Sequence, residues 1–169
     1  MMQKPVTRLA ALAAVLLLAL QPAQAQDVDT LPADRNAQDI AWHMRQQSYL
    51  LDLKAEDGWY TAEGGVRWRW VKYLASEKKP TVADRVTVHY EGKLLDGMVF
   101  DSSYTRGEPA TFPLGRLVKG WQIAIPNMGV GEVIEIAIPA DLAYGPVGRG
   151  PIPPNATLVF KVELLGIGG

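Results

Sequence analysis

The chemistry open to this chain is narrowed first by the side chains it lacks. His43 and His89 are the sole imidazoles in 169 residues, and there is no cysteine. Neither histidine has a second histidine or a cysteine at metal-ligand spacing, so no metal site is expected. Ser102 and Ser103 could be combined with His89 and an aspartate into a hydrolase triad, but no G-x-S-x-G elbow surrounds them. Gly129 and Gly131 precede a strand pattern and lack the Lys-Ser/Thr of a phosphate loop, which makes them a turn. What remains near the loops is a concentration of aromatic and aliphatic side chains with few ionisable groups. That composition suits binding of an apolar group and catalysis without proton transfer.

The elements that must position these residues follow from periodicity. VRWRWVKY (66–73) puts Val66, Trp68 and Trp70 on one face and Arg67 and Arg69 on the other. In VTVHYEG (86–92) Val86, Val88 and Tyr90 share a face, and His89 falls on the opposite, solvent side. VIEIAI (133–138) groups Ile134, Ile136 and Ile138, and TLVFKVELL (157–165) groups Leu158, Phe160, Val162 and Leu164. These read as strands of an antiparallel sheet, joined by loops rich in glycine and proline. One segment of this half reads as helix, Leu117 to about Ile125, and Pro126 should stop or kink it. The expected class is α+β: a curved antiparallel β-sheet wrapped around one short α-helix, because both elements must bury an apolar side.

Upstream, residues 26–33 read as a mobile tail broken by Pro32, and Asp34 as a helix N-cap. From Asn36 to about Ala55, Ile40, Met44 and Leu51 with Trp42, Tyr49 and Leu53 form a loose helical pattern ended by Asp57-Gly58. This short helix either docks on its own domain or pairs with a second chain. Its weak stripe and the lack of a heptad repeat point to docking and to a monomer.

Lys4 and Arg8, the apolar run Leu9 to Leu20 and the small-residue sequence Pro22-Ala23-Gln24-Ala25 have the layout of a secretory signal peptide. Twelve residues as a helix span about 18 Å against a hydrocarbon core of about 30 Å, so cleavage near Ala25 and a soluble, periplasmic protein without an integral membrane segment are expected. Removing residues 1–25 leaves 15 basic and 18 acidic side chains, which gives no electrostatic footprint for nucleic acid.

Four stretches then occur in a telling order: VTVHYEGKLLDGMVFDSSYTRGEPATFPLG, VKGWQ, IPADLAYG and PIPPNATLVFKVELL. Together they resemble the FKBP-type peptidyl-prolyl cis/trans isomerases over about Val66 to Ile167. The resemblance implies a half-barrel sheet wrapped on the helix containing Trp121 and an isomerase domain over 64–169, which follows the signal peptide read at 1–25 and the N-terminal extension with a short helix read at 26–63. It also implies a prolyl pocket with Tyr90, Phe100, Asp101, Trp121, Tyr144 and Phe160 as the catalytic set. Leu117, Val118 and Ile152 would add substrate-binding contacts, and Trp121 would form the floor. Taken singly, each of these is equally a core side chain or a turn residue. Ala110 stands where other members often carry an aromatic wall residue, and the Tyr144 to Pro153 loop is compact.

Such an enzyme needs no cofactor. Its partners would be proline-containing unfolded or partly folded polypeptides, and macrolides of the rapamycin and tacrolimus type would inhibit it. By the same resemblance, the Tyr144 hydroxyl and the Val118 backbone N–H would hold substrate carbonyls, and Asp101 would orient groups at the pocket edge. Two other readings stay open: a folding chaperone that holds proline segments without turning them over, and a structural envelope protein whose pocket is filled by its own side chains.

Overall fold

In the computed structural model residues 30–168 are described, with side chains from residue 39 onward. The expected signal peptide and its cleavage position at Ala25 lie outside the described residues. The strands are β1 (Tyr60–Thr61), β2 (Arg67–Lys72), β3 (Arg85–Lys93), β4 (Val99–Ser102), β5 (Ala110–Pro113), β6 (Val133–Ile138) and β7 (Leu158–Ile167). The helices are α1 (Thr30–Asp52), α2 (Ser103–Arg106) and α3 (Lys119–Ala124).

All seven strands join one antiparallel sheet in the order β1-β2-β6-β7-β3-β4. β3 pairs with β7 along one edge, from Val86 opposite Ile167 to Lys93 opposite Val159. Its other edge is shared, with β5 along Arg85 to Val88 and β4 along Glu91 to Lys93. Two short strands on one long edge leave the β4–β5 connection free to fold over the end of the sheet. That connection contains α2.

The inner face is built by the expected alternation. Val86, Val88 and Tyr90, Ile134, Ile136 and Ile138, and Leu158, Phe160, Val162 and Leu164 are all buried in one core. α3 lies against this face and contributes Trp121 and Ala124. A Cβ on Gly120 would come within 2.4 Å of Ile138 Cγ2, so helix and sheet meet at a distance that admits a hydrogen and no methyl. The α-helix is shorter than the expected 117–125. Leu117 belongs to the connection before it, and at Pro126 the chain continues as a 3-10 turn, Ile125–Asn127. α2 is a second short helix that the periodicity did not announce, capped by the Ser102 hydroxyl accepting from Thr105 N–H at 3.3 Å.

The outer face is covered as well. Leu50 of α1 and Trp59 pack on Ala137 and Val159 in a second apolar cluster. Burying one leucine contributes about 1.5–3 kcal/mol. Three expectations for α1 need correction. It starts at Thr30, within the presumed tail and ahead of Asp34, because a proline in the first turn forfeits no helical hydrogen bond. It ends at Asp52, and Gly58, at φ +82°, closes a separate 3-10 turn, Ala55–Asp57. Of the expected stripe, Ile40, Met44 and Leu51 are exposed, at 63, 63 and 71%, while Trp42, Tyr49 and Leu53 pack on the domain beside the buried Gln46 and Leu50. The burial of this helix is set by the shape of the sheet's outer face and by polar anchors, which hydrophobicity counting does not see.

Glu132 is a fully buried carboxylate beside the turn at Gly129. It accepts backbone N–H groups from Gly129 at 2.7 Å, Leu74 at 2.9 Å and Ser76 at 3.2 Å. Burial pushes its pKa up, but these three donors, with Lys79 nearby, bring it below the ordinary glutamate value. The carboxylate thereby ties the loop after β2 to the start of β6.

Candidate functional site

Eight of the nine residues singled out in the sequence surround one cavity of about 190 Å³. β3 and β7 bring up Tyr90 and Phe160 from their inner faces, and β4 supplies Phe100 and Asp101. Leu117 and Val118 precede α3, which carries Trp121, and Tyr144 closes the side toward the long loop between β6 and β7. Ile152 is not among the lining residues. It is buried in the core at the base of that loop. Phe112 of β5 is a lining residue that the sequence reading missed. The pattern held a signal for it: in Ala110-Thr111-Phe112, alternate residues lie opposite Val88 and Val86, so Phe112 shares their inward face.

Nearly perpendicular ring contacts stiffen the walls. Trp121 meets Phe160 at 5.3 Å and 89°, and Tyr90 at 5.5 Å and 83°. Phe100 meets Phe160 at 5.6 Å and 87°. Edge-to-face pairs add about 0.5–1.5 kcal/mol each beyond burial, which favours this arrangement of the rings. The Trp121 indole N–H is buried with no acceptor among the described residues.

Polar groups sit on one side of the cage. The Tyr90 hydroxyl donates to Asp101 Oδ2 at 2.5 Å and accepts from Arg106 Nη2 at 3.0 Å, while Arg106 Nη1 pairs with Asp101 Oδ1. Burial pushes the Tyr90 phenol pKa up, and the bond to Asp101 adds to that against the opposing Arg106. The phenol is therefore a fixed donor at neutral pH. Arg106 was not anticipated, because its role depends on α2 folding back over Tyr90.

His89 holds that fold. It lies on the outer face as expected, yet it is not simply in solvent, for the Tyr104 ring stacks on it at 4.7 Å. The buried Ser103 hydroxyl accepts the Tyr90 N–H at 2.7 Å and donates to the Tyr90 carbonyl at 3.2 Å, and His89 Nδ1 lies 2.9 Å away as the remaining partner. Ser103 is fully buried and its hydroxyl is taken up by the Tyr90 backbone, so it presents no nucleophile to solvent. It anchors α2 instead.

On the opposite rim, Val118 is the N-cap of α3, and its N–H makes no hydrogen bond to the described residues. Arg149 lies over the Tyr144 ring at 5.7 Å. The site therefore offers an apolar, preformed cavity with a few hydrogen-bonding groups at its edge. A proline ring with its flanking amides has that chemistry.

Comparison with known proteins gives the same direction. Residues 76–165 match the family described as FKBP-type peptidyl-prolyl cis-trans isomerase. The chain is 44% identical over 124 residues to the peptidyl-prolyl cis-trans isomerase Mip of Coxiella burnetii, covering 73% of this chain and 54% of that protein. It is 48% identical over 120 residues to the FKBP-type 22 kDa peptidyl-prolyl cis-trans isomerase of Escherichia coli, covering 70% and 58%. The crystal structure of FkpA from Escherichia coli superposes with a TM-score of 0.73 at 37% identity, covering 81% of this chain and 64% of that one. The chain thus spans a little over half the length of these two curated relatives.

Proposed function

The chain belongs to the FKBP-type peptidyl-prolyl cis-trans isomerase family, and on that premise we propose that it accelerates cis/trans exchange of Xaa-Pro bonds in exported polypeptides. The observation that carries this is the cavity of about 190 Å³ lined by the aromatic rings of Tyr90, Phe100, Phe112, Trp121, Tyr144 and Phe160, with Asp101 as its one ionised side chain. A filled cage would have favoured the structural reading.

An Xaa-Pro amide rotates slowly because resonance sets a barrier of about 18–20 kcal/mol. The twisted transition state has lost that resonance and carries less charge separation, so a water-poor cavity accommodates it relatively better than the planar amide. Tyr90, Phe100, Trp121 and Phe160 hold the proline ring and fix one side of the bond. The other side is left to turn, while the Tyr144 hydroxyl and the Val118 N–H hydrogen-bond substrate carbonyls. Asp101, braced by Arg106 and the Tyr90 phenol, keeps its carboxylate at the pocket edge. No residue has to move a proton, and each tenfold in rate requires about 1.36 kcal/mol of differential binding.

The same cage takes rapamycin-type macrolides in this reading. The protein acts in the periplasm after cleavage near Ala25, and no described helix is long and apolar enough to cross a membrane. It is read as a monomer, with α1 packed on its own sheet through Leu50. The test is the exchange rate of a short Xaa-Pro peptide with and without the protein, then with rapamycin added. Acceleration that the macrolide abolishes is expected, and an unchanged rate at saturating protein refutes the function.

A further inference from the structure

α1 lies outside the cage, yet it is bonded to the loop that carries one of its walls. Trp42 Nε1 donates to the Pro154 carbonyl at 3.2 Å. Gln46, 4% exposed, accepts the Thr157 N–H at its side-chain oxygen at 2.8 Å, and its backbone carbonyl accepts from the Thr157 hydroxyl at 3.4 Å. Among the described residues, these are the side-chain hydrogen bonds that reach the 144–157 loop from elsewhere in the fold. We propose that α1 tunes the proline pocket through this loop, with Trp42 as a positioning residue for the Tyr144 wall. The proposal rests on the reading of the cage as a proline site.

The path from helix to wall is short. Asn155, next to Pro154, donates its N–H to the Gly145 carbonyl at 3.0 Å, which closes the base of the loop. Gly145 follows Tyr144, and its own N–H is held by the Ala140 carbonyl at 2.8 Å. Between these anchors, Gly148 N–H reaches the Tyr144 carbonyl at 3.3 Å, and Arg149 bridges to Ile152. The backbone at Gly148 and Asn155 has positive φ, +72° and +57°, and these turns with their local bonds give the loop a defined shape. The returning limb is seated in the core by Ile152 and Ala156, and the side-chain hydrogen bonds that hold it from outside the loop come from Trp42 and Gln46. The far tip is free, with Val147 at 83% exposure. Slackening the α1 bonds should therefore shift Tyr144 relative to Trp121 and leave the rings of β3, β4 and β7 in place.

The test compares wild type with Trp42→Phe, which keeps an aromatic ring and removes the N–H, and with Trp42→Ala. Three quantities are read well below the melting temperature: kcat and KM for two Xaa-Pro peptides differing in the residue before proline, amide exchange at Asn155, and the Tyr144 ring resonances. Losing one net hydrogen bond should speed Asn155 exchange and raise KM by about two- to tenfold, with kcat little changed and the ratio between the two peptides altered. A helix that merely stabilises the domain would lower the melting temperature and leave all three readouts at their wild-type values, and that result overturns the proposal. Wild type without isomerase activity would remove the proline reading. The Asn155 and Tyr144 signals of the variants would then decide the coupling by themselves: perturbed signals support it and wild-type signals refute it.

Discussion

Gly92→Ala is the smallest change that should disable the cage from behind. Gly92 lies on β3 beneath two of the pocket rings. A Cβ there would sit 2.6 Å from Phe100 Cζ, 2.6 Å from Phe160 Cε1 and 2.8 Å from Phe100 Cε2. Carbon atoms make unstrained contact at about 3.5–4.0 Å, so each ring must retreat by roughly 0.9 Å or more. The backbone at Gly92 does not have the positive φ that would disfavour alanine, so the perturbation is purely steric. Both rings line the cavity, and the space open to them is the cavity itself. Overpacking of this kind costs about 1–3 kcal/mol, which corresponds to about a five- to 150-fold loss in kcat/KM if it falls on the pocket. Gly166→Ala is the matched control, since its Cβ would be 3.8 Å from Thr87, an ordinary contact on the neighbouring strand. The assay is kcat/KM for Xaa-Pro exchange, measured on protein whose circular dichroism and melting curve show it folded. A folded Gly92→Ala protein with wild-type kcat/KM would refute the assignment of Phe100 and Phe160 as the proline wall.

Two further outcomes are expected. Tyr144→Phe keeps the ring and removes one hydroxyl, so kcat/KM should fall about two- to tenfold with little change in melting temperature, and an unchanged rate would remove the hydroxyl's role. Glu132→Gln should lower stability at neutral pH by about 1.5–3 kcal/mol, the worth of hydrogen bonds to a charged acceptor. Because the folded pKa of Glu132 lies below its unfolded value, its contribution is complete above the unfolded glutamate pKa and is lost as pH falls through the folded one. The gap between wild type and variant in urea unfolding should thus close on acidification, and a gap constant with pH would contradict the account.

The inward faces of Tyr90 and Phe160 were legible because strand alternation assigns faces without any knowledge of the partner strand, and the remaining cage residues came from the family resemblance. Tyr90 and Phe160 each fall on an apolar face, and the motifs around them give the order of the rest. Phe112 was passed over because β5 is four residues long and lies beside prolines and glycine, too short for a period to assert itself. Arg106 was hidden for a different reason: its partners Tyr90 and Asp101 meet it only once Ser103 anchors α2. The docking of α1 on its own domain was legible, and it falls on Ala137 and Val159, apolar residues off the main stripe of the sheet. The face of α1 that docks there was readable in part, through Tyr49 and Leu53. Gln46 is buried for the Thr157 bond while Ile40, Met44 and Leu51 stay in solvent, an arrangement decided by tertiary hydrogen bonding.

The central claim is that this cage turns Xaa-Pro bonds by apolar binding without moving a proton. It is tested most directly by exchange spectroscopy on a short Xaa-Pro peptide with catalytic amounts of protein, in ordinary and in heavy water. Unaided, the bond isomerises over tens to hundreds of seconds. The account predicts saturable acceleration that is equal in the two solvents and constant across neutral pH. An exchange rate equal to that of the free peptide, or an acceleration that drops in heavy water, would contradict it.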